Sequence, residues 1–104
     1  MNVDGTYRPR SMQRCIAGYA VNRVGPCERL DPSPRFFTDH HAAVLRVRTR
    51  AHEAGANVGI WTDDGTVIVD VVDVYPTRRQ AMSVARERGQ RYIGNIAQNT
   101  IEPA

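Results

Sequence analysis

The pair Asp64-Gly65, between two runs rich in β-branched residues, constrains the fold of this chain more than any other feature. A tight hairpin turn needs residues with a positive φ, which Asp and Gly tolerate better than most. We therefore predict a β-hairpin with strands at residues 58–62 and 66–74. In the second strand Asp70 lies on the face opposite to most of the valines, so we expect it to mark a partly solvated side of the sheet.

Two segments have the apolar spacing of amphipathic helices. The first covers residues 38–53, with Thr38 as the N-cap. The second covers residues 78–88, and the spacing Thr77-x-x-Gln80 at its start is a capping box. A glycine follows each segment, as expected at a helix C-terminus. The residues predicted to face the core are Val44, Val47, Ala51, Ala54, Ala81, Val84 and Ala85.

Two further strands complete the predicted fold. Residues 15–24 form an apolar run that ends in a Gly-Pro pair, and residues 92–96 form a short final strand. The order strand, helix, strand, strand, helix, strand is that of the ferredoxin-like βαββαβ arrangement. We therefore predict an α+β two-layer sandwich with a mainly antiparallel sheet and both helices on one face.

The chain has 104 residues, a length typical of one domain. We place a single α+β domain at residues 14–97. Residues 1–13 contain few apolar side chains and are predicted to form a flexible N-terminal arm, and residues 98–104 are predicted to form a polar tail.

The distribution of apolar residues predicts a cytoplasmic protein. The longest apolar runs are only a few residues long, whereas a membrane-spanning helix needs about 20. Residues 1–6 lack the basic and apolar regions of a secretory signal. In the cytoplasm Cys15 and Cys27 are expected to be reduced, and their spacing matches no zinc motif.

No residue pattern in the sequence predicts a catalytic, cofactor or metal site. The histidines, His40, His41 and His52, lack the spacing of a helical metal pair. Asp63 and Asp64 are residues that a turn commonly uses, and the sequence contains no glycine-rich phosphate loop and no nucleophile motif. We therefore expect a protein that is not an enzyme and that needs no cofactor.

Two surfaces are candidates for binding. Tyr19 and Trp61 are predicted to lie on the sheet face opposite the helices, where exposed aromatic side chains favour a protein partner or a second copy of the chain. All 14 basic residues are arginines, which most simply reflects a GC-rich coding sequence, with phosphate or carboxylate recognition as the second interpretation. The arginines proposed to contact nucleic acid from the helices are Arg46, Arg50, Arg78, Arg79 and Arg86.

The second half of the chain resembles small uncharacterised proteins encoded by actinobacteriophages and related mobile elements. The residues that carry the resemblance are Gly59 to Gly65, Val69-Asp70-Val71, Arg79-Gln80-Ala81 and Ala85 to Gln90. The resemblance implies a phage-like origin and no particular activity. We therefore predict a non-enzymatic accessory protein that binds a host or phage protein, with homodimer formation as one form of this interaction. The alternative is a nucleic-acid-binding protein that uses the arginines of both helices.

Overall fold

The structure is a computed structural model, and it describes residues 3–104. Across these residues a seven-stranded antiparallel sheet curls into a half-barrel that carries three small helices. In chain order the elements are β1 (Gly5–Tyr7), β2 (Tyr19–Asn22), β3 (Glu28–Leu30), α1 (Phe36–Asp39), α2 (His41–Glu53), β4 (Asn57–Asp63), β5 (Thr66–Tyr75), α3 (Arg78–Glu87), β6 (Tyr92–Asn95) and β7 (Thr100–Pro103).

Strand β5 organises the sheet because its ten residues are long enough to pair with three neighbours. β4 lies along one edge of β5, and β2 and β3 share the other edge. The sheet continues on both sides in the order β1, β4, β5, β2, β6, β7, and each pair of neighbours is antiparallel.

The predicted ferredoxin-like two-layer sandwich is wrong. Within residues 3–104 the sheet has seven strands instead of the four predicted, and it curls into a half-barrel. The strands that the sequence did not indicate, β1, β3 and β7, are only three or four residues long. Because strands of this length have too few residues to show a periodic pattern, they escape prediction.

Two of these short strands lie in the segments predicted as the arm and the tail. β1 lies within residues 1–13 and pairs with β4; its Tyr7 is only 3% exposed and donates its hydroxyl to the Val3 carbonyl at 2.6 Å. β7 lies within residues 98–104 and pairs with β6. β1 covers three residues of the predicted arm, and β7 covers four residues of the predicted tail. Residues 1 and 2 of the predicted arm lie outside the described residues.

The hairpin and the second long helix are confirmed. Asp64 and Gly65 have φ angles of 48° and 78°, and they join β4 to β5 in a continuous register. The Thr77 hydroxyl accepts the backbone N–H of Gln80 at 3.2 Å and so caps α3. Gly89, with a φ of 69°, follows the end of this helix. Both elements depend on local turn and cap chemistry, which is why the sequence predicts them.

The first predicted helix is divided. α1 ends at Asp39 and α2 begins at His41; His40 lies between the two helices, and its φ of −115° is not helical. Thr38 lies inside α1 and is therefore not the N-cap. Phe36, which precedes the helix predicted at residues 38–53, is 3% exposed and belongs to the core. The predicted first strand, residues 15–24, likewise shortens to the four residues of β2.

The two long helices pack against the same face of the sheet, each over its own part. α2 contacts β4 and β5, and α3 contacts β2, β5 and β6. The buried cluster under α2 consists of Tyr7, Phe36, Val44, Val47, Ala51, Val58, Ile60, Val67 and Val69. The cluster under α3 consists of Val21, Ala81, Ala85 and Ile93. Among the predicted core residues Ala54 is exposed, because it follows the end of α2.

Candidate functional site

The concave face of the sheet encloses a cavity of about 770 Å³. Its lining extends from β1 at one edge of the sheet to β7 at the other, and includes residues 14–16 of the loop after β1. Successive side chains of a strand point to opposite faces of a sheet. α2 and α3 pack on one face of the curled sheet, which we call the convex face. The cavity lies on the opposite, concave face, which these helices leave uncovered. This cavity is the candidate functional site.

Two small residues lie on the concave face where β2 and β4 line the cavity. Ala20 on β2 and Gly59 on β4 both line the cavity. A Cβ atom on Gly59 would lie 2.6 Å from Val72 Cγ1 and 2.9 Å from Asp70 Oδ1, so this position has no room for a side chain. Gly59 therefore allows the backbone of β4 to approach Asp70 closely.

Asp70 is a buried carboxylic acid directly behind this lining, and it is only 6% exposed. Asn22, which lines the cavity, donates its Nδ2–H to Asp70 Oδ2 at 2.8 Å. Oδ1 has no hydrogen-bond partner among the described residues. Burial raises the pKa of Asp70 from 3.8 to about 7, and the nearby Trp61 indole opposes this rise. The carboxyl group is therefore partly ionised at neutral pH.

Trp61 forms one wall of the cavity and contributes a second unpaired polar atom. Its ring is partly exposed, whereas its Nε1–H is buried and has no hydrogen-bond partner within the described part of the chain. Trp61 pairs with Ile68, and Asp70 pairs with Gly59, so both side chains lie on the concave face of adjacent strands. Neither atom therefore has a hydrogen-bond partner within 3.5 Å among the described residues, although the Trp61 N–H lies close enough to Asp70 to lower its pKa.

Asp73, three residues further along β5, has the opposite environment. Its carboxylate accepts two hydrogen bonds of 2.9 Å from Arg23 and one of 2.8 Å from Arg88. Desolvation acts to raise the pKa of Asp73, but the hydrogen bonds and charges of both arginines outweigh it and lower the pKa below 3.8. Asp73 is therefore compensated by two cations, whereas Asp70 has no ion pair among residues 3–104.

Apolar side chains surround the mouth of the cavity. Ile16, Tyr92 and Ile101 are 86%, 59% and 55% exposed, and all three belong to the lining. Clustered exposed apolar side chains mark a surface that becomes covered on binding. Cys15 also lines the cavity; its thiol and that of Cys27 are free, and burial raises the pKa of Cys15.

The structure separates the two aromatic residues that the sequence placed on one surface. Trp61 lies on the concave face. Tyr19 lies on the convex face, where it packs against the cluster under α3, and the guanidinium carbon of Arg78 lies 5.9 Å from its ring centroid. In β2 the alternation of side chains directs Ala20 and Asn22 to the cavity instead of Tyr19.

Several arginines proposed to contact nucleic acid bind other parts of the protein. Arg46 forms an ion pair with Glu28 at 2.6 Å, and Arg78 forms one with Glu102 at 2.8 Å. Arg50 donates to a loop carbonyl at 3.4 Å. The exposed arginines that remain on α3 are Arg79 and Arg86. The side chains of Arg46 and Arg78 remain 61% and 55% exposed although they are paired, and such exposed ion pairs are weak.

Comparison of the chain with protein-family models, curated proteins and solved structures finds no match. Over residues 3–104, the His, Cys, Asp and Glu side chains form no group of three or more that could hold a metal ion. The helices of the same residues are all too short or too polar to cross a membrane. The cavity and its lining are therefore the basis on which a function is inferred.

Proposed function

We propose that the protein binds a small organic molecule in the concave cavity. The observation that carries this proposal is the volume of about 770 Å³, which falls within the range of roughly 300–1,000 Å³ typical of small-molecule sites. The lining combines apolar side chains with polar ones, and small-molecule sites use the first for affinity and the second for orientation. The exposed apolar side chains at the mouth add further surface for a ligand to cover.

The proposal assigns the cavity to binding and not to catalysis. A nucleophilic thiol needs a lowered pKa and an adjacent base. Burial raises the pKa of Cys15, and the cavity lining in the described part of the chain contains no histidine to activate it. We therefore assign the cavity to the recognition of a ligand.

Binding of an uncharged dye tests the proposal. Trp61 is the only tryptophan of the chain and lines the cavity, so its fluorescence reports on occupancy. We expect N-phenyl-1-naphthylamine to bind with increased dye emission and quenched Trp61 emission. Ala20→Leu, which extends a side chain into the cavity, should weaken dye binding by about tenfold or more, equivalent to about 1.4 kcal/mol.

Ala42→Leu is the matched control, because Ala42 is exposed on α2 and lies outside the cavity lining. This variant should bind the dye as the wild type does. Circular dichroism establishes that both variants are folded. If Ala20→Leu and Ala42→Leu bind the dye with equal affinity while both are folded, the dye does not occupy the cavity and the proposal fails.

The exposed side chains at the mouth favour a second candidate function, the protein–protein interaction predicted from the sequence. Ile16, Tyr92 and Ile101 surround one opening. A second copy of the chain that faces this opening about a two-fold axis would cover these three side chains on both copies. The resemblance to phage proteins suggests a further partner for the same surface, namely a host or phage protein in the cytoplasm.

Light scattering after size-exclusion chromatography tests the interaction between copies. We expect the wild type to form a dimer as its concentration rises, and Ile16→Ser/Ile101→Ser to remain a monomer. Val24→Ser/Leu45→Ser is the control, because Val24 and Leu45 are 76% and 44% exposed but lie outside the cavity lining. A wild type that stays monomeric at every concentration contradicts this second candidate and leaves ligand binding unaffected.

A further inference from the structure

We infer that the ligand of this cavity carries a positively charged nitrogen and that the Asp70 carboxylate is the partner of this nitrogen. This inference rests on the proposed function, because it names the chemical class of the molecule that occupies the same cavity. Three features of the concave face support it. They are an uncompensated buried carboxyl group, an aromatic wall beside it, and a side chain that connects the carboxyl group with the cavity.

Asp70 lacks the compensation that a buried carboxylate needs. A buried charge is stable when it is paired with an opposite charge and fully hydrogen-bonded. Asp70 receives a hydrogen bond from Asn22, and its Oδ1 has no partner among the described residues. Arg29, opposite Ile68 on β3, forms no ion pair with it, whereas Asp73 binds two arginines at 2.8 and 2.9 Å. A cation that arrives with the ligand supplies the missing charge.

The aromatic wall beside Asp70 favours the same class of ligand. Trp61 lines the cavity, and the face of an indole ring attracts cations more strongly than any other aromatic side chain. The Trp61 Nε1–H is buried near Asp70 and favours the ionised form of the carboxyl group. The indole in the cavity wall therefore offers a cationic ligand a second attractive surface beside the carboxylate.

Asn22 connects the cavity with Asp70. Its side chain lines the cavity, and its Nδ2 lies 2.8 Å from Asp70 Oδ2. An ammonium group offers up to three hydrogen-bond donors, so it can take the place of this amide and also reach Oδ1. Gly59 leaves Oδ1 uncovered by any side chain at the paired position of β4. Because Oδ1 is buried behind the lining, binding through it requires the lining side chains next to Asp70 to move.

The arginines at the cavity define the competing class of ligand, an anion. Arg14 and Arg91 also line the cavity. Arg14 donates to the Asp4 carbonyl at 2.6 Å and lies 5.1 Å from the centroid of the Tyr7 ring, and Arg91 is exposed. An anion drawn to the centre of the concave face would meet the Asp70 carboxylate. We therefore assign the region next to Asp70 to a cation, and the probes described below test this assignment against an anion.

Three aromatic probes of similar size test the inference at about pH 8, where an alkylammonium group and an Asp with a pKa of about 7 are both charged. They are 2-phenylethylamine, which is cationic, 2-phenylethanol, which is neutral, and phenylacetate, which is anionic. Affinities follow from Trp61 fluorescence and from displacement of N-phenyl-1-naphthylamine. We expect the amine to bind at least about tenfold more tightly than the alcohol, and phenylacetate to bind most weakly.

Two asparagine variants complete the experiment. Asp70→Asn should lose the preference for the amine and still bind the alcohol. Asp63→Asn removes the same charge at the exposed end of β4 and should keep the preference. In the wild type the preference should also increase between about pH 6 and pH 8 as Asp70 ionises, and in Asp70→Asn it should not.

The outcomes separate this inference from the proposed function. If the amine and the alcohol bind equally, if phenylacetate binds best, or if Asp70→Asn keeps the preference for the amine, the inference is wrong while dye binding still supports the cavity as a site. If neither the dye nor any of the three probes binds to the folded protein, the proposed function fails as well.

Discussion

Asp70→Asn is expected to stabilise the protein at about pH 8 by much more than at about pH 4. Burial raises the pKa of Asp70 to about 7 in the folded protein, against 3.8 for an exposed group. As pH rises through this interval the unfolded chain loses its proton first, so the wild type loses stability between about pH 4 and pH 7. At about 1.4 kcal/mol per pKa unit the full loss is about 4 kcal/mol. Asparagine does not ionise, so the Asp70→Asn variant does not undergo this loss of stability.

Urea denaturation of both proteins at about pH 5 and pH 8 measures the effect. The difference in the free energy of unfolding between variant and wild type should grow by about 2.5 kcal/mol over this range. Asp73 acts in the opposite sense: its lowered pKa provides stability above 3.8 that is lost as pH falls further. Because both proteins contain Asp73, its contribution cancels. A difference that does not change with pH would show that Asp70 ionises as an exposed carboxyl group does.

Phe36→Ala is expected to lower the free energy of unfolding by about 3–5 kcal/mol. Phe36 is 3% exposed and belongs to the cluster under α2. Its ring lies 4.9 Å from that of His40 and 5.6 Å from that of Phe37, measured between centroids. The substitution removes this ring where α1 meets α2 and leaves a void in the main cluster. Chemical denaturation at fixed pH measures the loss.

Phe37→Ala is the matched control for this experiment, because it removes the same side chain from the adjacent position. Phe37 is 39% exposed, and its ring forms edge-to-face contacts with Tyr7 and Phe36. Loss of these partly solvated contacts should cost about 1 kcal/mol. Equal losses for the two variants would contradict the assignment of Phe36 to the core and of Phe37 to the surface.

The two stability predictions concern opposite faces of the same sheet. Strand β5 contributes Val69 to the buried cluster on the convex face and Asp70 to the concave face. Apolar burial against α2 and α3 stabilises the fold from the convex side. The concave side instead contains unsatisfied polar atoms on Trp61 and Asp70. Retaining such groups lowers stability, which is the pattern expected of a binding site.

Elements with a local signal are those that the sequence predicted. The Asp64-Gly65 turn, the Thr77 cap of α3 and the short strand β6 all occur in the structure. The residues that decide these elements are neighbours in the chain, so a short window of sequence contains the cause. Thr38 is the exception. The sequence predicted it as the N-cap of one long helix, but it lies inside the separate helix α1, whose Phe36 packs into the core.

The candidate site could not be predicted in the same way. Asp70 had the local signal of an acid between two valines, and we interpreted it as the mark of a solvated face. Its burial depends on Gly59 across the strand pair and on Asn22, which is 48 positions away along the chain. The cavity also needs β1 and β7, and each of them is ordered by pairing with a strand instead of by its own pattern.

By itself the sequence determined where the chain turns, which helix is capped and which residues alternate between the faces of β5, because these properties arise between neighbouring residues. Only the tertiary structure decided that short edge strands extend and curl the sheet, that Tyr19 and Trp61 face opposite sides, and that Asp70 is buried without a cation. These properties depend on contacts between segments that are distant in the chain, because several such segments together decide how deeply a side chain is buried.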